Sequence, residues 1–430
     1  MTLRSSLARF GRVSLGDRDT SVIRRSLWVT FFFTLGHVCY YCLIVLANRN
    51  LSPADFGRFY TGWAILNVLG APGGVFVLLL SGYFAAAFRR GYMPALIAAL
   101  GQAARQAVWP TILALLACEA ALAIGGRIFA IDAFWLGFLL PLTAVASFMV
   151  EVLRATYQGR LQFVRYGVYW TVWCALQLLF GAVGLFLFDT PWAVFAGMLA
   201  ANTAVFAFLL ARILLQVPPE KRLHCQQRLS LREFMPLTTG LAASVVLINM
   251  DILMSYFMFS AVVNGVYAAS ALLAKAIVTA TQPIIQIMIP VMTHAEGAPV
   301  DKRVVTIKTI GAAATFASLG AIVLWLGAPQ VCGGRYGIQY CDIPIMDLLA
   351  VSAIPLVILR VLVVANVSYK QRGIAELMYA AVAVFVFCAL TVSRDAHALA
   401  AVYCLCCWGA LGLGCVLQCV RAIERRRDIA

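Results

Sequence analysis

The chain has 430 residues, 63% hydrophobic and only 12% charged, with a mean hydropathy of +0.90 and a formal charge of +15. A soluble domain is about 45–50% apolar and about 25% charged, so this composition excludes a water-soluble globule and makes the bilayer the solvent. The basic surplus does not point to nucleic acid, because it alternates along the chain as membrane topology requires.

Residues 1–26 hold six Arg and no apolar stretch of their own. A cleavable signal peptide needs an apolar core and a small-residue cleavage site. The segment reads instead as a basic cytoplasmic arm, either a topology determinant or a contact with anionic lipid. A membrane span needs roughly 20 apolar residues, and such runs recur to the end of the chain. They fall at 27–47, 60–84, 103–125, 131–153, 167–187, 191–214, 236–258, 264–291, 307–328, 346–368, 374–391 and 398–420. The expected fold is an all-α polytopic membrane protein of about twelve transmembrane helices.

With the N-terminus placed in the cytoplasm, the inside segments carry 26 Lys and Arg. The outside segments carry five, Arg49, Arg58, Arg127, Arg335 and Arg394, and Lys275 and Arg360 lie within spans. This is the positive-inside pattern, with both termini cytoplasmic. No connection is long enough to fold as a soluble catalytic head, which argues against an enzyme built that way. No Cys/His spacing reads as a zinc site, and no cofactor is expected. Most of the 13 Cys sit within spans, where free Cys packs as a small hydrophobe. Cys332 and Cys341, in "VCGGRYGIQYCD", fall in one short outside loop and are candidates for a disulfide.

The chain contains an internal repeat. "DFGRFYTGWAIL" (55–66) and "VNGVYAASALL" (263–273) place Gly57 against Gly265, an offset of 208. "EVLRATYQGR" (151–160) and "VILRVLVVANVSYKQRG" (357–373) place Arg154 against Arg360, an offset of 206. Each half then has six spans starting on the same side, so the halves are related by a pseudo-two-fold along the membrane normal. The expected organisation is the arm 1–26, an N-terminal bundle 27–215, a linker 216–233, a C-terminal bundle 234–420 and a tail 421–430. Two similar bundles place a substrate site between them.

Polar residues inside the spans fall on helical faces. Lys275, Thr279, Gln282 and Gln286 share one face, and Ser244, Asp251 and Ser255 share another. Thr30, Thr34, His37, Tyr41 and Asn48 follow the same spacing on the first span, and Ser352, Arg360 and Ser368 on the tenth. A charge at a helix centre costs roughly 2.5–3.5 kcal/mol on insertion scales. Asp251 and Lys275 can therefore be a plain ion pair or can line a hydrated cavity. Lys275 and Arg360 are the leading ligand cations, because Arg grips phosphate bidentately. Gln282, Gln286, Thr279 and Asp251 complete the candidate site. Asp251 and His37 are candidates to bind a coupling proton, and His37 can equally be a packing residue. Arg154 stands at the edge of its span.

Four segments resemble the polysaccharide-transporter, Wzx-like flippases of the multidrug/oligosaccharidyl-lipid/polysaccharide (MOP) exporter superfamily. They are "LANRNLSPADFGRFYTGWAILNVL" (46–69), "YQGRLQFVRYGVYW" (157–170), "INMDILMSYFMFSAVVNGVYAASALLAKAI" (248–277) and "IQIMIPVMTHA" (285–295). The resemblance implies twelve or more helices in two bundles, and alternating access. It implies a cationic cavity and an undecaprenyl-diphosphate-linked glycan as substrate, carried across a bacterial inner membrane. The partners implied are membrane lipids and the polysaccharide polymerase and export machinery. The alternatives are a multidrug or small-molecule antiporter of the same superfamily, a membrane-embedded glycan-modifying enzyme, and a scaffold for polysaccharide synthesis.

Overall fold

A computed structural model describes residues 17–70, 133–160, 162–215, 235–282, 284, 302–332, 338–368 and 373–427. The expected span 103–125, most of 60–84, Gln286 and the linker lie outside the described residues. Eleven helices are present among them: α1 (Asp17–Asn50), α2 (53–70), α3 (Ala133–Gly159), α4 (Phe163–Phe188), α5 (Pro191–Leu215), α6 (Met235–Met258), α7 (Ala261–Ala280), α8 (Lys302–Val331), α9 (Ile343–Ser368), α10 (Gly373–Val392) and α11 (Ala396–Arg427). All but α2 are long and apolar enough to cross a membrane. The helices alternate between an upper end, which carries the turns at 51–52, 189–190, 259–260 and 393–395, and a lower end.

Local chemistry sets these turns. In "LSPAD" the Ser52 hydroxyl accepts the Asp55 N–H at 3.2 Å and donates to the Asp55 carboxylate at 2.7 Å. Pro53 occupies the first helical position, where its missing N–H costs nothing. The expected span at 60–84 therefore starts seven residues too late, because Ser-Pro-x-Asp nucleates the helix before the apolar run begins. Ser260 caps α7 through the Val263 N–H, and Asp395 caps α11 through the Ala398 N–H at 2.7 Å. Asp189 closes α4 in the left-handed region (φ 49°), which Asp tolerates. The expected span 264–291 is not one continuous helix. α7 ends at Ala280, and Thr281 folds its hydroxyl onto the Val278 carbonyl at 2.7 Å. Pro283, just beyond in the sequence, has no N–H to continue the ladder.

Packing repeats between the halves. In the first, α1 packs along α4, α4 along α5, and α3 along α5. In the second, α6 packs along α10, α10 along α11, and α9 along α11. The same three pairings thus recur one repeat later, as two bundles require. The bundles meet where α2 crosses α7. A Cβ on Gly57 would reach the Ala261 carbonyl and the Gly265 nitrogen, and a Cβ on Gly265 would run into the Pro53 carbonyl. Each glycine thus faces the carbonyl four residues before the other, the reciprocal contact a two-fold produces. Small residues are what let backbones approach this closely in lipid.

At the upper end, Cys332 and Cys341 are joined by a disulfide with Cα atoms 5.3 Å apart. The turn they enclose carries Gln339, whose main chain meets the Asn48 amide of the other bundle twice: N–H to Oδ1 at 2.7 Å, and C=O from Nδ2 at 3.2 Å. Neither cysteine is expected to react with a maleimide on native, unreduced protein, and both should react after reduction. Stoichiometric labelling of both without reductant would remove the bond.

Candidate functional site

A cavity of about 380 Å³ lies between the bundles, lower than the contacts that join them. Asn264 reinforces that junction by donating to Thr61 at 3.2 Å. The walls differ in chemistry. α7, the residues just after it and α9 contribute Lys275, Thr279, Gln282 and Arg360, while α1, α2 and α4 contribute a largely aromatic face that includes Tyr60, Trp63, Trp170 and Trp173. The mixture of apolar walls and a few convergent polar groups is what small-molecule sites present.

The cationic wall begins with Asp251. It is fully buried on α6 and takes the Lys275 ammonium at 2.7 Å. Lys275 keeps 12% of its side chain exposed, so only the cation reaches the cavity. Asp251 stands behind it, with one carboxylate oxygen left without a hydrogen bond. Ser244 and Ser255, on the same face of α6, are buried rather than hydrated. One turn below Lys275, Thr279 donates to its carbonyl at 3.0 Å and accepts the Tyr41 hydroxyl at 3.0 Å, linking α7 to α1. Arg360 differs from Lys275. It borders the cavity, and no carboxylate among the described residues lies within ion-pair distance.

Of the sequence-predicted site residues, the fold brings Lys275, Thr279, Gln282, Arg360 and His37 to one cavity. Asp251 is placed one layer behind, and Gln286 lies outside the described residues. His37 makes a hydrogen bond between its Nδ1 and the Phe33 carbonyl at 2.7 Å and packs 5.3 Å from the Trp170 ring. The first-span stripe divides. Tyr41 and His37 face the cavity, Asn48 reaches Gln339, and Thr34 is exposed.

Sequence reasoning missed the aromatic wall and what stands behind it. Arg154 is not an edge residue. It is fully buried, with its guanidinium within 5.8 Å of four ring centres, those of Phe33, Tyr166, Trp170 and Trp173. Cation–π contacts of this kind offset part of the cost of desolvation. Its Nη1 donates to Glu151 at 2.8 Å, and Glu151 borders the cavity. The wall is braced by Asn202 on α5. Its carbonyl oxygen accepts from Trp173 at 2.6 Å and Gln177 at 2.8 Å, and its amide donates to Ser147 at 2.7 Å and the Thr143 carbonyl at 3.3 Å. The repeat was the usable signal. Arg154 pairs with Arg360 in register, so the depth assigned to one belonged to both.

No protein-family model matches the chain, and no curated protein matches it by sequence. Solved structures do match. A mutant of the Vibrio cholerae MATE transporter VcmN is 14% identical, with a TM-score of 0.66 over 94% of this chain and 98% of that one. A multidrug resistance MATE family transporter in an outward-facing conformation is 11% identical, with a TM-score of 0.69 over 94% and 96%. A MOP superfamily transporter from Pyrococcus furiosus, described as having a binding pocket of reversed polarity, is 12% identical, with a TM-score of 0.66 over 92% and 95%. With two bundles, a shared packing pattern and a cavity between them, this chain has the fold seen in the MATE transporters it matches.

Proposed function

We propose that the protein is a transporter that moves an anionic, lipid-linked oligosaccharide across a bacterial inner membrane by alternating access, and that it is not an enzyme. The observation that carries the reading is the charge left over at the cavity. Glu151 and Asp251 are each paired with a cation, which leaves Arg360, lining the same cavity as Lys275, without a carboxylate partner among the described residues. A diphosphate offers the oxygens that such a pair lacks. The aromatic wall opposite offers apolar faces to the sugar rings. Membrane lipids and a polysaccharide polymerase are the partners this role requires. A nucleic-acid partner is not part of it.

The competing reading is a multidrug exporter, since neighbours of the same fold are described as multidrug resistance transporters. A cavity that selects organic cations needs an uncompensated carboxylate, and the surplus here has the opposite sign. The Pyrococcus furiosus neighbour shows that one fold can carry pockets of different polarity.

Depleting the protein from its host should make one lipid-linked intermediate accumulate on the cytoplasmic leaflet. If none accumulates, and resistance to cationic drugs falls instead, the multidrug reading replaces this one. Orientation has its own test. Reporter fusions after Ala430 and within 329–345 should report opposite sides, with Ala430 cytoplasmic, and the same side for both would reject the topology.

A further inference from the structure

Arg154 and Arg360 occupy corresponding places in α3 and α9, yet the sequence around them differs at a carboxylate. At the repeat offset of 206, the position matching Glu151 is Val357. The C-terminal arginine therefore meets the cavity with no carboxylate partner among the described residues, while its N-terminal counterpart has a carboxylate between itself and the cavity.

The Arg154 guanidinium is poorly matched to that partner. It has five N–H donors. Among the described residues only Nη1 finds an acceptor, Glu151, while Nε and Nη2 are buried and unpartnered. The four surrounding rings favour the positive charge but take no N–H bond in the plane of the guanidinium. A buried donor without an acceptor is costly, so the arrangement is unfavourable unless something else completes it. Glu151 is the movable component. Its side chain is 21% exposed at the cavity wall, whereas Arg154 is wholly enclosed. Gly36 leaves the space the Trp170 indole needs, which holds that ring over the guanidinium.

We infer that Arg154 is a second, latent anion site of the cavity, and that Glu151 is a built-in stand-in for its ligand. The ligand is a phosphate or diphosphate oxyanion. When it enters from the cavity, Glu151 swings into the hydrated space and the oxyanion takes the Nη1 donor together with the two unpartnered nitrogens. The two arginines are then one site in duplicate, open in the C-terminal bundle and occupied from within in the N-terminal bundle. Transfer of the charged group from Arg360 to Arg154 keeps it compensated as the bundles rearrange. This step rests on the anionic-substrate reading only for the identity of the lipid, because the anion site itself stands on the two arginines and their environments.

The test is binding of inorganic diphosphate to the full-length protein in detergent, by titration calorimetry, with thermal unfolding as the control for folding. Arg360→Ala is expected to remove most binding from the parent. Adding Glu151→Val, which reproduces the C-terminal pattern, or Glu151→Gln, which removes only the charge, should restore binding about tenfold. Arg154→Met fills the same volume without the donors and should abolish that restoration. The inference is overturned if both Glu151 variants fold and bind no better than Arg360→Ala alone. It is also overturned if the gain survives Arg154→Met. Farnesyl diphosphate separates the two proposals. If it binds no better than inorganic diphosphate while the Glu151 effect is present, the latent site is one for free phosphate compounds and the lipid-linked substrate reading fails alone.

Discussion

Arg360→Ala is expected to abolish glycan export while leaving the protein as abundant and as thermally stable as the parent. Arg360 has no carboxylate partner among the described residues, so removing it strands no buried charge there. Two charge-assisted hydrogen bonds to a diphosphate contribute about 3 kcal/mol, or roughly a hundredfold in binding. Arg360→Lys keeps the charge but loses the planar fork, and should recover only part of the activity. Lys275→Ala should also stop export, but its interpretation needs a companion. Asp251 is completely buried, and without Lys275 it is an uncompensated carboxylate, a loss that costs about 3–5 kcal/mol. Lys275→Met combined with Asp251→Asn removes both charges and restores folding, so failure to export in that pair isolates the role of the cation. Asp251→Asn alone should impair export less than loss of either cation. The measurement is lipid-linked glycan flux in inverted vesicles, beside expression level and melting temperature. Normal flux in well-folded Arg360→Ala and Lys275→Met/Asp251→Asn proteins would reassign the anchor and leave Asp251–Lys275 as a structural ion pair.

Gly265→Leu should be nearly as damaging, through geometry alone. A side chain at this position meets the Pro53 main-chain carbonyl, which cannot rotate aside. The α2–α7 crossing has to open, and with it the upper-end contacts Asn48–Gln339 and Thr61–Asn264. Transport should fall to background, because one member of the alternating pair of states can no longer form. The check is a crosslink. In an Asn48→Cys/Gln339→Cys protein, mild oxidation should join the two positions, as read by mass spectrometry of the linked peptide. Adding Gly265→Leu should eliminate that peptide. If the crosslink persists at full yield, the crossing does not control closure.

Much of this architecture was legible in the sequence, for reasons that can be named. Lipid removes water as a hydrogen-bonding partner, so helices are the natural solution for every long apolar run. The offset near 208 named Gly57 and Gly265, and the structure places those two residues face to face. Lys275 and Thr279 shared a helical face, and helix geometry carried both to one cavity, which Gln282 reaches from just past the end of α7. What failed was depth and partnership. Arg154 was counted with a cytoplasmic segment because charge statistics assign a residue near a span end to the nearest loop. They cannot register four aromatic rings arriving from α1 and α4. Asp251 was placed among the cavity residues because periodicity gives a face, not a layer. The Asn202 junction was invisible for the same reason, since its partners come from α3 and α4, separated from it in sequence by 25 to 59 residues.

That junction has a mechanical side. One amide that answers four groups on α3 and α4 ties those helices and α5 into a lever arm, since shear between any two would break a bond at a buried side chain. The aromatic wall is thus carried on a stiff part. α7, which bears Lys275, is interrupted at Ala280 and reaches α1 through the Tyr41–Thr279 hydrogen bond. A cargo held between them meets an anvil on one side and a spring on the other. Tolerance for differently sized sugars would then be set by how far α7 can yield, while the stiff wall keeps the cargo in register.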